Sequence, residues 1–154
     1  MGQAIGNAVD YVRNYKAKAL RALEAIPEDD VAKLIALLVE ARAQGRQIFV
    51  CGNGGSAATA SHFATDLGKG ASLGREKRFK AMSLVDNVSW LTAMANDTDY
   101  SQVFLEPLKN FAQPGDLLIA FSGSGNSPNV VRVVEWANQN QRGGAPLRFR
   151  SAHG

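Results

Sequence analysis

Residues 48–56 read Ile48-Phe49-Val50-Cys51-Gly52-Asn53-Gly54-Gly55-Ser56, and an alanine-rich stretch of helical character follows them. A short, unbroken apolar run has the length of a strand and leaves no face for water, so it belongs inside a sheet covered on both sides. The glycines then turn the chain, and Ser56 is expected to cap the next helix. The same grammar recurs downstream. Ala81-Met82-Ser83-Leu84-Val85 ends in Asp86-Asn87 and leads into a helical Val88 to Ala95. A helix is expected over Gln102 to Phe111, with Pro107 inside it as a kink. After the turn Pro114-Gly115-Asp116, Leu117-Leu118-Ile119-Ala120-Phe121 ends in Ser122-Gly123-Ser124-Gly125-Asn126-Ser127. Pro128 then opens a last helix that closes near Asn140. Strands alternating with helices predict an α/β fold, a parallel sheet flanked by helices.

Upstream, Ile5, Ala8, Val9, Val12, Tyr15, Ala19, Leu20 and Leu23 recur on one helical face. Pro27 and the acidic Glu28-Asp29-Asp30 start a second helix, whose apolar set Val31, Leu34, Ile35, Leu38 and Val39 runs on to Gly45. Residues 1–45 therefore read as a helical hairpin. It is long for so small a sheet and is expected to carry an oligomer interface. Residues 46–140 form the three-strand α/β core, and 1–140 together one domain. Past Asn140 the periodicity stops, and 141–154 read as an irregular tail with a weak alternation at Leu147-Arg148-Phe149-Arg150.

The 154 residues are 45% hydrophobic and 20% charged, a globular composition. No apolar run is long enough to cross a bilayer and the N-terminus lacks an apolar signal core, so a soluble, cytoplasmic protein is expected. Lys and Arg number 17 against 14 acidic residues, with Arg142, Arg148 and Arg150 crowded near the end. That is no basic face, and direct nucleic-acid binding is not expected. The single Cys51 cannot form an internal disulfide and is expected to be a small buried hydrophobe. Trp90 and Trp136, among apolar helical neighbours, are expected in the core.

Ligands of open parallel sheets sit beyond the carboxyl ends of the strands, where both special loops lie. Gly52, Gly54 and Gly55 let backbone approach a ligand closely, and the helix N-terminus that follows favours an anion. Ser122, Ser124 and Ser127 offer three hydroxyls beside amide donors, a cage for a phosphate monoester. A turn with a helix cap would explain either loop alone; two at equivalent strand ends favour phosphate. Neither loop holds Lys or Arg, the pattern GxxxxGK[ST] is absent, and Ala57 breaks GxGxxG. A phosphorylated sugar is therefore favoured over a nucleotide, and no nucleotide cofactor is expected. His62 and Asp66, four apart, share one helical face. They could bind a divalent metal, serve as acid and base in aldose–ketose isomerisation, or form only a weak surface pair. Lys69 and Arg75 to Arg78 read as a solvated loop. Asp86, Asn87, Asn96 and Asp97 are explained as caps and turns, with Asp97 also a candidate contact to a sugar hydroxyl.

Gly52 to Ala58, Ser61-His62-Phe63-Ala64-Thr65-Asp66-Leu67, Asn96-Asp97 and Phe121 to Asn129 together resemble the sugar isomerase (SIS) domain family and, within it, the phosphoheptose isomerases. The resemblance runs from the N-terminal helices to about Asn140. It implies a flavodoxin-like sheet and a homo-oligomer, tetramer or dimer, built on the N-terminal helices, with sites shared between subunits. It also implies isomerisation of sedoheptulose 7-phosphate to D-glycero-D-manno-heptose 7-phosphate through an enediol, for bacterial lipopolysaccharide or capsule, with zinc in some members. By position it places Ser122, Ser124 and Ser127 on the phosphate, with Asn53, Gly54 and Ser56 completing the pocket and Asp97 lining it. His62 and Asp66 become the catalytic residues and metal ligands. Two departures stand out. Asp66 occupies the place of the family's glutamate, and the strands, second histidine and further metal ligands that follow in the family have no counterpart after Asn140. His153 stands in another context. A truncated or frame-shifted end at Gln141 is the expectation that follows, with Leu117 to Phe121 left as an open edge. The alternative within the family is a non-catalytic sugar-phosphate-binding protein, regulatory or associated with the replication initiator; a structural remnant that only associates through its helices is a third reading.

Overall fold

β1 (Gln47–Gly52) lies between β2 (Lys80–Ser83) and β3 (Leu117–Phe121), and both pairings are parallel. A computed structural model describes residues 2–140, with side chains from Gly6 onward. The side chain of Ile5 and the expected tail over 141–154, with His153, lie outside the described residues. In register, Phe49 stands opposite Met82 on one side and Leu118 on the other. Ile48, Phe49, Val50 and Cys51 are all 0% exposed, as their unbroken apolar run requires.

Alternate side chains of a strand point to opposite faces, so β1 seeds two cores. Phe49 and Cys51 pack with Val103, Phe104 and the buried faces of α5 (Leu105–Phe111) and α6 (Pro128–Asn140). Leu91 and Met94 of α4 (Val88–Asp97) close that layer. Ile48 and Val50 pack with Leu38 and Ala41 of α2 (Glu28–Gln44) and with Ala60 and Ala64 of α3 (Gly55–Thr65). The chain passes from β1 to β2 through α3 on one face, then steps over β1 to β3 through α4 and α5 on the other. Strand order β2-β1-β3 thus reverses direction at β1, the arrangement that opens a crevice at the carboxyl ends of an α/β sheet. The expected α/β, flavodoxin-like architecture is the one observed. Burial raises the Cys51 thiol to about 12, so it stays neutral and packs as the small hydrophobe expected.

Local details differ from expectation. Ser56 does not cap α3. Gly54 is the N-cap, with φ of +54°, and the Ser56 N–H is already bonded to the Asn53 carbonyl at 2.9 Å. A positive φ at that corner suits glycine, which moves the helix start two residues upstream of the serine. Pro107 causes no kink. Tyr100–Gln102 is a separate 3-10 turn, and α5 begins at Leu105, so Pro107 falls in its first turn, where an N–H has no helical partner to lose. α3 also runs on into a single π turn over Asp66–Gly70. The two tryptophans are half-buried at the core margin, Trp90 edge-on to Phe111 with ring centroids 5.8 Å apart.

The N-terminal helices do not close into a packed hairpin. α1 (Gly2–Glu24) leaves Val9, Val12, Tyr15, Leu20 and Leu23 exposed, Tyr15 and Leu23 by 65% and 64%. α2 ends as expected at Gly45, with φ of +67°, and is anchored to the sheet through Leu38 and Ala41. Its Val31, Ile35 and Val39 nevertheless stay exposed. Each helix keeps the apolar stripe read from its sequence, but the stripes do not cover each other. The outer edge of β3 likewise has no partner strand among the described residues.

At the exit of β1 the first turn of α3 comes within contact of the strand. A Cβ on Gly52 would lie 2.7 Å from the Ser56 carbonyl oxygen and 2.8 Å from its Cβ. Gly52→Ala is expected to push α3 off the strand and cost about 1–3 kcal/mol in a urea unfolding curve. An unchanged midpoint would show that the approach is slack.

Candidate functional site

The two loops at the carboxyl edge are joined by a pair of amides. Asn53, just past β1, donates from Nδ2 to Asn129 Oδ1 at 2.9 Å, and Asn129 Nδ2 returns a bond to Asn53 Oδ1 at 2.8 Å. Asn129 is in the first turn of α6 and only 1% exposed, and its Oδ1 also accepts the Val130 N–H at 3.0 Å. A buried amide is tolerated only when its donors and acceptors find partners, so this pair ties the loop after β1 to the helix after β3.

Beyond β3, Ser122 Oγ accepts the Gly125 N–H at 3.0 Å and Ser124 Oγ accepts the Asn126 N–H at 3.3 Å. Each hydroxyl is thereby oriented while its own hydrogen makes no bond among the described residues. Gly125, with φ of +68°, turns the loop. The Ser127 carbonyl accepts the first bonds of α6, from Val130 at 3.0 Å and Val131 at 2.9 Å. Ser122, Ser124 and Ser127 therefore lie together before a helix N-terminus, a donor-rich place for an anion.

On the other side of Asn53 a cavity of about 260 Å³ opens between the β1 loop, α3 and the chain after β2. Asn53 and Gly54 line it, with Ser61, Asp86, Tyr100 and Phe104. Ser61 donates its hydroxyl to the Asp86 carboxylate, and Tyr100 donates to Asn53 Oδ1 at 3.2 Å. The turn carrying Tyr100 is itself braced. Asp99 accepts the Ser101 N–H at 2.8 Å, and Arg132 of α6 donates to Ser101 Oγ at 2.8 Å. The Ser101 hydroxyl and N–H, with a weaker contribution from Arg132, hold the Asp99 carboxyl below its ordinary range.

Other expected site residues lie elsewhere. His62 and Asp66 form the anticipated pair, Nε2 to Oδ2 3.2 Å, but with side chains 79% and 67% exposed on the outer side of the helix. Neither lines the cavity. Asp97 ends α4 and accepts a bond from Asn96 at 2.8 Å, also outside the cavity lining. Ser56 stands in the first turn of α3, half-buried. Zinc sites take three or four protein ligands. Among the described residues no third His, Cys, Asp or Glu joins His62 and Asp66, so the pair alone does not make a zinc site.

Four lining or bridging residues escaped the sequence reading as site residues: Ser61, Asp86, Tyr100 and Asn129. Asp86 had a signal, since it ends a strand on the ligand-binding edge. Asn129 sits beside Pro128 at a helix start, where a buried amide is unexpected. Tyr100 had none, because its position depends on the turn after α4.

The sequence pattern of the SIS domain family matches residues 10–143. A phosphoheptose isomerase of Thiobacillus denitrificans is 43% identical over 122 residues, 77% of this chain and 59% of that protein. One of Shewanella oneidensis is 40% identical over 116 residues, 75% of this chain and 58% of that protein. Among solved structures, phosphoheptose isomerase from Neisseria gonorrhoeae superimposes with a TM-score of 0.78 at 32% identity, over 86% of this chain and 70% of that one. The enzyme from Francisella tularensis does so with the same score and coverage at 27% identity. The chain thus spans about three-fifths of the length of the curated relatives it matches.

If the amide pair locks the loops, losing either partner strands the other in a buried place. Asn129→Ala is expected to cost about 1–3 kcal/mol of stability. Combined with Asn53→Ala in a double-mutant cycle, it should show a coupling of at least about 0.5 kcal/mol in denaturant unfolding. Additive losses would mean that the two loops are positioned independently.

Proposed function

The chain belongs to the SIS domain family, and we propose that it binds a phosphorylated sugar and isomerises it as its phosphoheptose isomerase relatives are named for doing. The observation that supports the reading is the Asn53–Asn129 pair, which ties the glycine loop after β1 to the first turn of the helix that follows the serine loop. Ser122, Ser124 and Ser127 would hold the phosphate, with Asn53, Gly54 and Ser56 beside them. The substrate class is a ketose phosphate such as sedoheptulose 7-phosphate, whose aldose product is a precursor for bacterial surface polysaccharide. A phosphosugar does not cross membranes unaided, which favours a cytoplasmic setting; no described helix is long and apolar enough to cross one.

The reaction is a proton relocation. A base takes a proton from C1, its electron pair forms the C1–C2 double bond, and the C2 carbonyl oxygen takes up a proton to give the enediol. The C1 hydroxyl then gives up its proton as C2 gains one, leaving the aldehyde. Asp66 is the candidate base and His62 the partner that orients it and shuttles the hydroxyl proton. Asp97 would contact a sugar hydroxyl. Zinc at His62 and Asp66 would need donors from outside the described residues.

The test is proton NMR of sedoheptulose 7-phosphate in deuterated water. Exchange at C1 above a protein-free control is expected, with Asp66→Asn slowing it at least ~100-fold and Ser122→Ala weakening binding. Line broadening without exchange would leave a binding domain only. The absence of both broadening and exchange would overturn the reading.

The same proposal includes assembly. The exposed stripe of α1 and α2, from Val9 to Val39, is supported as the contact between copies by its apolar character along two helices. Sedimentation should report a dimer or tetramer that Leu20→Glu dissociates. A monomer at micromolar concentration without the substitution would refute it.

A further inference from the structure

We infer that Ser72 is a positioning residue for the proposed base: its buried hydroxyl holds the π turn that runs past Asp66 and keeps one oxygen of that carboxylate clear. This rests on the reading of Asp66 as the group that takes the C1 proton. It adds which residues fix the carboxylate in place.

Asp66 closes α3, its N–H bonded back to the His62 and Phe63 carbonyls. Helix ends fray, and a base at such an end would be poorly placed. The chain instead continues for one wide turn, in which the Ala71 N–H reaches the Asp66 carbonyl at 2.7 Å. In an α-helix that N–H would go to the Leu67 carbonyl, four residues back. The wide turn deprives that carbonyl of its partner, at a residue only 8% exposed. Ser72 supplies the replacement. It is 0% exposed, and its hydroxyl donates to the Leu67 carbonyl at 2.7 Å and accepts the Phe79 N–H at 2.8 Å. The turn is thereby tied to the segment that enters β2, where Phe79 packs against the core under the Arg42 guanidinium. Single π turns are rare and gather at functional sites. This one persists because Ser72 pairs the carbonyl that it would otherwise strand.

The turn also reaches the carboxylate itself. Asp66 Oδ2 lies 3.2 Å from His62 Nε2. Oδ1 makes no hydrogen bond among the described residues, and a Cβ at Gly70 would stand 4.0 Å from it. The oxygen open to a substrate proton is therefore the one that borders the π turn, with a glycine as its neighbour. Without the Ser72 hydroxyl the turn can tighten, the Ala71 N–H moving to Leu67, and the backbone beside Oδ1 shifts with it.

The test is the initial rate of aldose formation from sedoheptulose 7-phosphate, followed by proton NMR across substrate concentrations. Ser72→Ala is expected to lower kcat about tenfold with KM within about twofold, the signature of a misplaced base rather than of lost binding. Gly70→Leu, on an exposed position, leaves the Ser72 bonds intact and crowds Oδ1; a similar fall in kcat is expected, with an unchanged unfolding midpoint. Val133→Ala, in the core on the far face of the sheet, separates placement from general destabilisation and should leave kcat unchanged. If Ser72→Ala loses no more kcat than Val133→Ala, the positioning role is overturned while the reading of Asp66 stands. If Ser72→Ala fails to fold, Gly70→Leu decides, and an unaltered kcat there overturns the role. If the unsubstituted chain forms no aldose, the reading falls and the positioning role with it.

Discussion

The dry strand β1 is the constraint from which the rest of the structure follows. Four successive side chains, Ile48 to Cys51, have no contact with water, and each large one contributes about 1.5–3 kcal/mol by its burial. Because neighbours in a strand face opposite ways, this requires a helical layer on each face and a strand on each side. Two crossovers of opposite direction meet that demand, and together they make strand order reverse at β1. The open carboxyl edge between the strand ends is a by-product of that reversal. Gly52 then lets α3 start almost in contact with the strand, so the loop between them is short and its Asn53 has a narrow range of positions.

Polar chemistry organises the edge that apolar packing creates. Asn129 is a polar group in an apolar layer, and its burial is tolerable only because Asn53 and Val130 satisfy it. The same Asn53 oxygen takes the Tyr100 hydroxyl, and the turn bearing Tyr100 is held to α6 through Ser101 and Arg132. Loops from three separate parts of the chain thereby share one small network. In such a network the cost of an unpaired member exceeds the gain from any single bond, which makes the arrangement specific rather than merely stable.

The surfaces left open are as informative as those closed. The apolar stripe of α1 and α2 and the outer edge of β3 are what a single copy leaves uncovered among the described residues. His62 and Asp66 stand on the outside of α3, away from the cavity. On the proposed function the acid–base pair meets substrate only when further protein surface closes over that side of the helix. The pocket residues within this chain, by contrast, are already mutually positioned.

Periodicity and glycine placement sufficed to read the α/β class, the extent of β3, the stop at Gly45 and the position of the loops that follow β1 and β3. These are local properties: a four-residue apolar run has one kind of home, and a glycine at a sharp corner has few substitutes. The pairing of His62 with Asp66 was legible for the same reason, since a helix fixes which residues share a face. What the tertiary structure decided depends on residues brought together over long separations. Asn53 meets Asn129 across 76 positions, Ser61 meets Asp86 across 25, and Tyr100 reaches Asn53 across 47. Helix faces that could have covered each other as a hairpin remained apart, because an amphipathic pattern specifies that a face will be buried without specifying by what. A single sequence carries hydrophobic period and turn chemistry in each segment, but a partner's identity is set by the packing of whole elements, and only the folded chain supplies it.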